Sequence, residues 1–387
     1  MSRATPIPDD LPASGAWRPG DPVGARRFLS LAVDRPLLLE SGAQLSSIDV
    51  AYETWGTLDA AASNAVLVCH ALTGDSHAAG RDGWWEGLIG PGRPLDTDRY
   101  FVVCSNVLGG CQGTTGPASD DPSTGRPYGS AFPVVTIRDM VRVQASLADS
   151  LGVDRWRAVV GGSMGGMQAL EWAVTYPDRV GALILASTTA EASAQQIAWS
   201  HIGRSAVLTD PEFRGGDYYD AAPGEGPWRG LMVARMCAQV TYRSDEVFAE
   251  RFHRSVIDRF AFSAAPVFDI ENYLDYHGIK LVRRFDANSY LRLNRAMDLH
   301  DVGRSRGSRT RALERVRAPV LVSSVRSDGL YPPSQQLALV ADFESLGVPV
   351  RHVELDSPHG HDAFLIETQL LGPPVAEFLD DPKGAAQ

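Results

Sequence analysis

The sequence predicts an α/β protein with a mostly parallel sheet flanked by helices, and three observations carry that reading. Short runs rich in Val, Ile and Leu occur at Ala65–Cys69, Tyr100–Cys104, Arg157–Val160 and Ala182–Ala186, set between turn residues. Brief apolar runs without polar alternation are expected of strands buried on both faces. Helical patterns fall between them, at Arg138–Ser150 and Gly166–Tyr176. Strand and helix in alternation imply parallel pairing through helical crossovers. The strand pattern then returns late, at Pro319–Ser324 and Val350–Leu355, with a further helix from about Asp362.

Between these two blocks the rhythm changes. From about 191 to 313 no buried strand is legible, and helical patterns run over Trp228–Tyr242, Asp245–Phe260, Ile270–Arg283 and Asn288–Asp301. A single strand–helix step needs about 30 residues, so 191–313 is expected to be a helical lid inserted into a core of 29–190 and 314–380. Residues 1–28, rich in Pro and Gly, are expected to form a loosely ordered lead-in.

Composition narrows the function classes. The 387-residue chain is 44% hydrophobic and 21% charged, ordinary values for a globular protein. A formal charge of −11 disfavours nucleic-acid binding and anionic membrane surfaces. Cys69, Cys104, Cys111 and Cys237 lack both the density of a disulfide scaffold and the paired spacing of a zinc site. Free thiols, a first segment unlike a signal peptide and no run of 18 apolar residues together predict a cytoplasmic protein.

The chemistry begins at Gly161-Gly162-Ser163-Met164-Gly165-Gly166, a G-x-S-x-G turn directly between a predicted strand and a predicted helix. Such a turn lifts a serine hydroxyl above the sheet in a strained backbone, with small neighbours because the turn is tight. A nucleophilic serine needs a base and the base an orienting acid, in the chain order Ser, Asp or Glu, His. Asp328 in Ser327-Asp328-Gly329 and His361 in Gly360-His361-Asp362 follow the two late strands, with His359 a competing base. An oxyanion hole would use the Met164 N–H and an N–H from the loop after the strand at 65–69, where Leu72 is the candidate.

Within Trp228–Tyr242, Leu231, Arg235, Ala238 and Tyr242 recur on one helix face. An arginine on an inward stripe needs an anion, which a structural ion pair and a substrate carboxylate supply equally well. Asp362 is either a helix-start residue or an acceptor for a substrate ammonium group. Together the two would recognise an amino acid.

The segments HALTGDSH (70–77), CSNVLGGCQGTTGPAS (104–119), GGSMGGMQALEWA (161–173), FDANSYLRLNRAMDLHD (285–301), SDGLYPP (327–333) and GHDAFL (360–365) resemble the homoserine O-acetyltransferase family. The resemblance implies an α/β-hydrolase fold, with nucleophile, acid and base at Ser163, Asp328 and His361. It also implies substrate binding by Arg235 and Asp362. Acetyl-CoA and L-homoserine would be the substrates, in methionine biosynthesis, with no permanently bound cofactor and no metal. A homodimer through the helical lids is implied as well. Relatives use succinyl-CoA or acylate serine, and HALTGDSH looks more like the acetyl-using members. A serine esterase would share every catalytic residue; Arg235 is the feature it would not need.

Overall fold

The computed structural model describes residues 8–31, 36–257, 268–382 and 384. Eight strands form the central sheet: β1 (Arg27–Leu31), β2 (Ile48–Trp55), β3 (Ala65–Cys69), β4 (Phe101–Ser105), β5 (Ala158–Gly162), β6 (Leu183–Ala186), β7 (Val320–Val325) and β8 (Val350–Leu355). Their order is β1-β2-β4-β3-β5-β6-β7-β8. β1 pairs antiparallel with β2, and β2 antiparallel with β4. Every other pairing is parallel, with Val160 in register with Val68 on one side and Ile184 on the other.

Every residue of β3, β4 and β5 is buried, because helices cover both faces of the sheet. The helices are α1 (Ile137–Ser150), α2 (Met164–Thr175), α3 (Ala194–Leu208), α4 (Trp228–Tyr242), α5 (Asp245–Phe252), α6 (Asp269–Val282), α7 (Ala287–Asp298), α8 (Arg309–Leu313), α9 (Pro333–Ser345), α10 (Ala363–Ile366) and α11 (Thr368–Asp380). Alternate side chains along each strand enter opposite layers. Leu67, Val103 and Val159 join a core with Met140 of α1, Leu170 of α2 and Phe343 of α9. Val66, Val102 and Val160 join another with Trp85, Phe364 and Phe378 of α11. Among the described residues, no helix is long and apolar enough to cross a membrane.

Helices α3 to α8 lie between β6 and β7 in the chain. The pattern at 245–260 yields a helix only to Phe252, because His253 takes a positive φ of 48° and breaks it; residues 258–260 lie outside the described residues. Helix α3 lies outside the helical patterns read from the sequence, and Ser193 and Gln196 close a reciprocal capping box at its start. The lead-in departs from the expectation of loose order. Leu11 is fully buried, Gly15 N–H donates to Phe285 O at 3.1 Å, and Trp17 N–H to Cys111 O at 2.9 Å. A buried leucine and paired amides outweigh the Pro/Gly composition over 11–17, while residues 19–28 are mostly exposed; residues 1–7 lie outside the described residues.

The end of the helical segment is tied back to the core by buried ions. Arg138 of α1 bonds Glu171 of α2 at 2.9 Å and Glu40 at 2.6 Å, while Arg304 and Arg306 reach Glu40 and Glu171. Burial works to raise the Glu171 pKa, but Arg306 and Arg138 override it and hold the group below its ordinary value.

His300, just past α7, is a buried neutral imidazole whose Nε2–H donates to Thr189 O at 3.2 Å. Burial lowers its pKa from 6.5 to about 4. The folded chain therefore binds fewer protons here than the unfolded one. This contribution, roughly 3 kcal/mol, is present above pH 6.5 and is lost as pH falls to about 4. Urea midpoints measured across that range should fall for the wild type and fall less steeply for His300→Gln. Parallel curves for the two would refute the assignment.

Candidate active site

Three chain segments converge at the carboxyl ends of β5, β7 and β8. Ser163 stands between β5 and α2 with φ 56° and ψ −125°, a conformation costing about 1–3 kcal/mol for a residue with a side chain. The turn is pinned by Ser163 N–H donating to Ala186 O at 2.9 Å and by Thr188 Oγ1 donating to Ser163 O at 2.8 Å. Glycine is required at 165, where a Cβ would overlap the Cys69 carbonyl oxygen. That close approach seats the start of α2 against the end of β3.

Asp328 and His361 are each 3% exposed. His361 Nδ1–H donates to Asp328 Oδ2 at 2.7 Å. A carboxylate can only accept, so the bond fixes the proton on Nδ1 and leaves Nε2 as a lone pair. The other carboxylate oxygen accepts from the N–H groups of Leu330 (2.9 Å) and Tyr331 (2.8 Å). His359, the competing base, turns to Glu367 at 3.5 Å instead.

The imidazole of His361 is packed among aromatic rings: Tyr331 stacked at 4.8 Å and 18°, Phe364 edge-on at 5.3 Å, and Tyr242 tilted at 5.8 Å. One of these neighbours also touches the Ser163 turn. The Phe364 ring lies where a Cβ on Gly162 would stand. Ser163 makes no direct hydrogen bond to His361 among the described residues; such catalytic bonds are often long before substrate arrives.

Two backbone amides, those of Met164 and Leu72, are the candidates for an oxyanion hole. Met164 is the first residue of α2, and an N–H at that position has no partner within a helix. Leu72 is buried on the loop after β3, and its N–H finds no partner among the described residues. The loop is held by His70, whose Nε2 accepts from Val107 N–H at 3.1 Å, so that Nδ1–H donates to Ala71 O at 2.8 Å. Burial lowers the His70 pKa, consistent with that neutral form. Asn106 Oδ1 accepts from Ser76 N–H, and Arg284 Nη2 donates to Thr73 O. The motif at 104–119 thus serves to hold the loop of Leu72.

Helix α4 brings Arg235 to the site's edge. Its guanidinium sits 5.3 Å over the Tyr242 ring, and its buried Nη1 has no hydrogen-bond partner among the described residues. Asp362 is engaged differently from the expectation: its carboxylate pairs with Arg243 Nη2 at 3.1 Å. Sequence reasoning missed Arg243, because a helix-face argument passes over a residue at the helix end. Leu72, Tyr242 and Tyr331 line a cavity that continues between α3, α4 and α7, past Trp199, Cys237 and Asn294.

A strained serine on a strand-to-helix turn and a carboxylate-oriented imidazole are features of the α/β-hydrolase class, and residues 64–368 match the family model for the α/β hydrolase fold. The chain belongs to the homoserine O-acetyltransferase family. It is 53% identical over 390 residues to the homoserine O-acetyltransferase of Thermobifida fusca, covering 98% of this chain and all of that one. The crystal structure of homoserine O-acetyltransferase from Bacillus anthracis superposes with a TM-score of 0.86 at 30% identity, over 92% of this chain and 97% of that one. Esterase E22 superposes almost as well, with a TM-score of 0.85 at 29% identity over 92% and 99% of the two chains.

Proposed function

We propose that the chain transfers an acetyl group from acetyl-CoA to the side-chain hydroxyl of L-homoserine through an acyl group on Ser163. The observation that carries this reading beyond the fold is Arg235, a guanidinium with a buried, unpartnered N–H beside the Tyr242–His361 contact. An amino-acid carboxylate satisfies it bidentately. The ammonium group shares the Asp362 carboxylate with Arg243.

In the first half-reaction His361 Nε2 takes the Ser163 proton as Oγ bonds the thioester carbon. The oxyanion is met by the N–H groups of Leu72 and Met164, the carbon–sulfur bond breaks, and the proton passes to the CoA sulfur. In the second, His361 takes the homoserine hydroxyl proton, the alkoxide bonds the acyl carbon, and Ser163 Oγ leaves with that proton. Asp328 keeps the imidazole in the required tautomer and supports its charge. The helices of 191–313 act as a lid whose covered cavity favours a bound alcohol over bulk water. No resident cofactor or metal takes part. On this reading the reaction belongs to methionine biosynthesis in the cytoplasm.

The likeness to esterase E22 favours a second reading, simple ester hydrolysis by the same triad. Donor and acceptor choice are tested by supplying homoserine and serine with acetyl-CoA and succinyl-CoA in competition. Mass spectrometry of the product should find O-acetylhomoserine as the main species; O-succinylhomoserine, O-acetylserine or acetate in its place would reject the assignment. Arg235→Ala should raise the KM for homoserine about 10- to 100-fold, the worth of a charge-assisted pair, while CoA release in the absence of acceptor is unchanged. An unaltered KM would favour the hydrolase.

The exposed apolar residues Val233 and Val240 on α4, Ile202 and Leu208 on α3 and Tyr276 on α6 suit a second copy of the chain, giving a homodimer through the lid helices. Sedimentation equilibrium should return twice the chain mass; a monomer at micromolar concentration would count against it.

A further inference from the structure

The end of the HALTGDSH segment carries an ionisable pair that the mechanism does not use. Glu53 lies on β2 and is 3% exposed. Among the described residues its only ion partner is His77, whose Nδ1 stands 2.9 Å from Glu53 Oε2. Ser76 Oγ donates to Glu53 Oε1 at 3.1 Å and accepts from Asn106 Nδ2 at 3.1 Å. A buried carboxylate is strongly disfavoured unless a positive group pairs with it. The other ring nitrogen of His77 is engaged too, with Nε2 standing 2.9 Å from the Arg81 carbonyl oxygen. A carboxylate and a carbonyl only accept, so both ring nitrogens carry protons. His77 is therefore an imidazolium, whereas His70 at the start of the segment donates from one nitrogen and accepts at the other.

We propose that His77 is a positioning residue, a protonated clip that fastens the far end of the 70–77 loop to β2 and so keeps the Leu72 N–H in place. His70 anchors the start of the loop through Val107 N–H, and His77 anchors its end. The Asp75 carboxylate accepts from His77 N–H at 3.0 Å, and Asp75 O accepts from Trp84 Nε1 at 2.9 Å. The imidazolium, the loop and the turn through Arg81 are thereby tied into one unit. Loss of the proton removes one of the two ring bonds and the charge that Glu53 requires, and the loop is released.

Few charged groups face the imidazole. Glu53 faces it from β2 and Asp75 from its own loop. Arg284, just past α6, places Nη1 3.7 Å from Asp75 Oδ2. Cys104 of β4 donates its thiol to Asp75 O at 3.7 Å, and burial holds that thiol protonated. The Arg81 and Asp82 side chains project into solvent. Burial works to lower the His77 pKa, but the Arg81 carbonyl, Glu53 and Asp75 override it and hold the group above its ordinary value. The clip is thus closed at low pH and opens as pH rises through a value above the usual 6.5. His361 sets the opposite limb, since it must be neutral to accept the Ser163 proton.

The inference rests on Leu72 acting as an oxyanion donor while Ser163 is acylated. It is tested by the pre-steady-state burst with acetyl-CoA and with p-nitrophenyl acetate, from about pH 5.5 to 9.5, in wild type, His77→Gln and Glu53→Gln. Ring-labelled histidine NMR titrates the same three proteins. The wild-type burst rate should rise through the His361 ionisation and then fall about tenfold, part of what losing an oxyanion donor costs. His77→Gln should be about tenfold slower at neutral pH and lose the alkaline fall, because glutamine carries no titrating charge. Glu53→Gln should move the alkaline fall to lower pH. The NMR signal missing from His77→Gln should titrate above pH 6.5 in the wild type and lower in Glu53→Gln.

A wild-type burst with no alkaline fall, or a fall that persists unchanged in His77→Gln, would overturn the proposal. So would a His77 signal that titrates below the ordinary imidazole value. The wild-type profile and Glu53→Gln decide the matter even if His77→Gln does not fold. The ester separates this inference from the substrate assignment: a wrong donor would abolish the burst with acetyl-CoA alone, while p-nitrophenyl acetate would still report the alkaline fall.

Discussion

Ser163→Ala lowers kcat by about a million-fold, the loss typical of removing a serine nucleophile that acts as a unit with its base. Alanine keeps the Cβ and inherits the same φ of 56°, so backbone strain is unchanged and the thermal midpoint moves little. The bonds that pin the turn, Ser163 N–H to Ala186 O and Thr188 Oγ1 to Ser163 O, are to the backbone of residue 163 and survive the change. The loss is therefore chemical, and stopped-flow thiol detection checks it: no CoA is released ahead of steady state. Retention of more than about a thousandth of the activity would mean that acyl transfer can bypass this hydroxyl.

Asp328→Asn costs about ten-thousandfold in kcat, by a route that the hydrogen bonds make explicit. Asp328 Oδ1 accepts from two backbone N–H groups, so the amide oxygen of asparagine must take that place. Its NH2 group then faces His361 Nδ1 where Oδ2 accepted before. The imidazole can keep a hydrogen bond only by moving its proton to Nε2, the atom that must receive the Ser163 proton. Fold and substrate affinity are preserved while the base is held in the wrong tautomer. Measured kcat and KM separate these effects, and a comparable rise in KM would point to a disturbed pocket instead.

The parts of the site legible in the sequence are those where local backbone geometry dictates residue type. The G-x-S-x-G turn is written in glycines because the close approach at Gly165 tolerates nothing larger. The buried strands β3 to β7 are visible as apolar runs because helices cover both faces of the sheet. β1 and β2 are harder to read: they pair antiparallel at the edge, and the burial pattern of β1 is largely exposed. Helix α3 carries no continuous apolar stripe because it packs on α4 and α7 within the helical segment, which leaves Ile197, Ile202 and Leu208 exposed. Its capping box was the signal that could have found it.

Long-range partners are the parts that spacing does not encode. Arg235 is suggested by its place on a helix stripe, but the Arg243–Asp362 pair joins residues over a hundred positions apart. Tyr331 reads as a turn aromatic until its ring is seen on His361. The lead-in misleads for the same reason: Leu11 is one apolar residue in a Pro-rich stretch, and only the body it docks against makes it core.

The central claim is that the acyl group rests covalently on Ser163 between donor and acceptor. Intact-protein and peptide mass spectrometry of rapidly quenched enzyme, mixed with acetyl-CoA and no homoserine, tests it most directly. The account predicts one added acetyl group per chain on the peptide containing Ser163, formed with a stoichiometric burst of CoA and discharged to O-acetylhomoserine when homoserine is added. An unmodified enzyme that releases CoA only when homoserine is present would contradict it, placing both substrates in a direct transfer with no covalent stage.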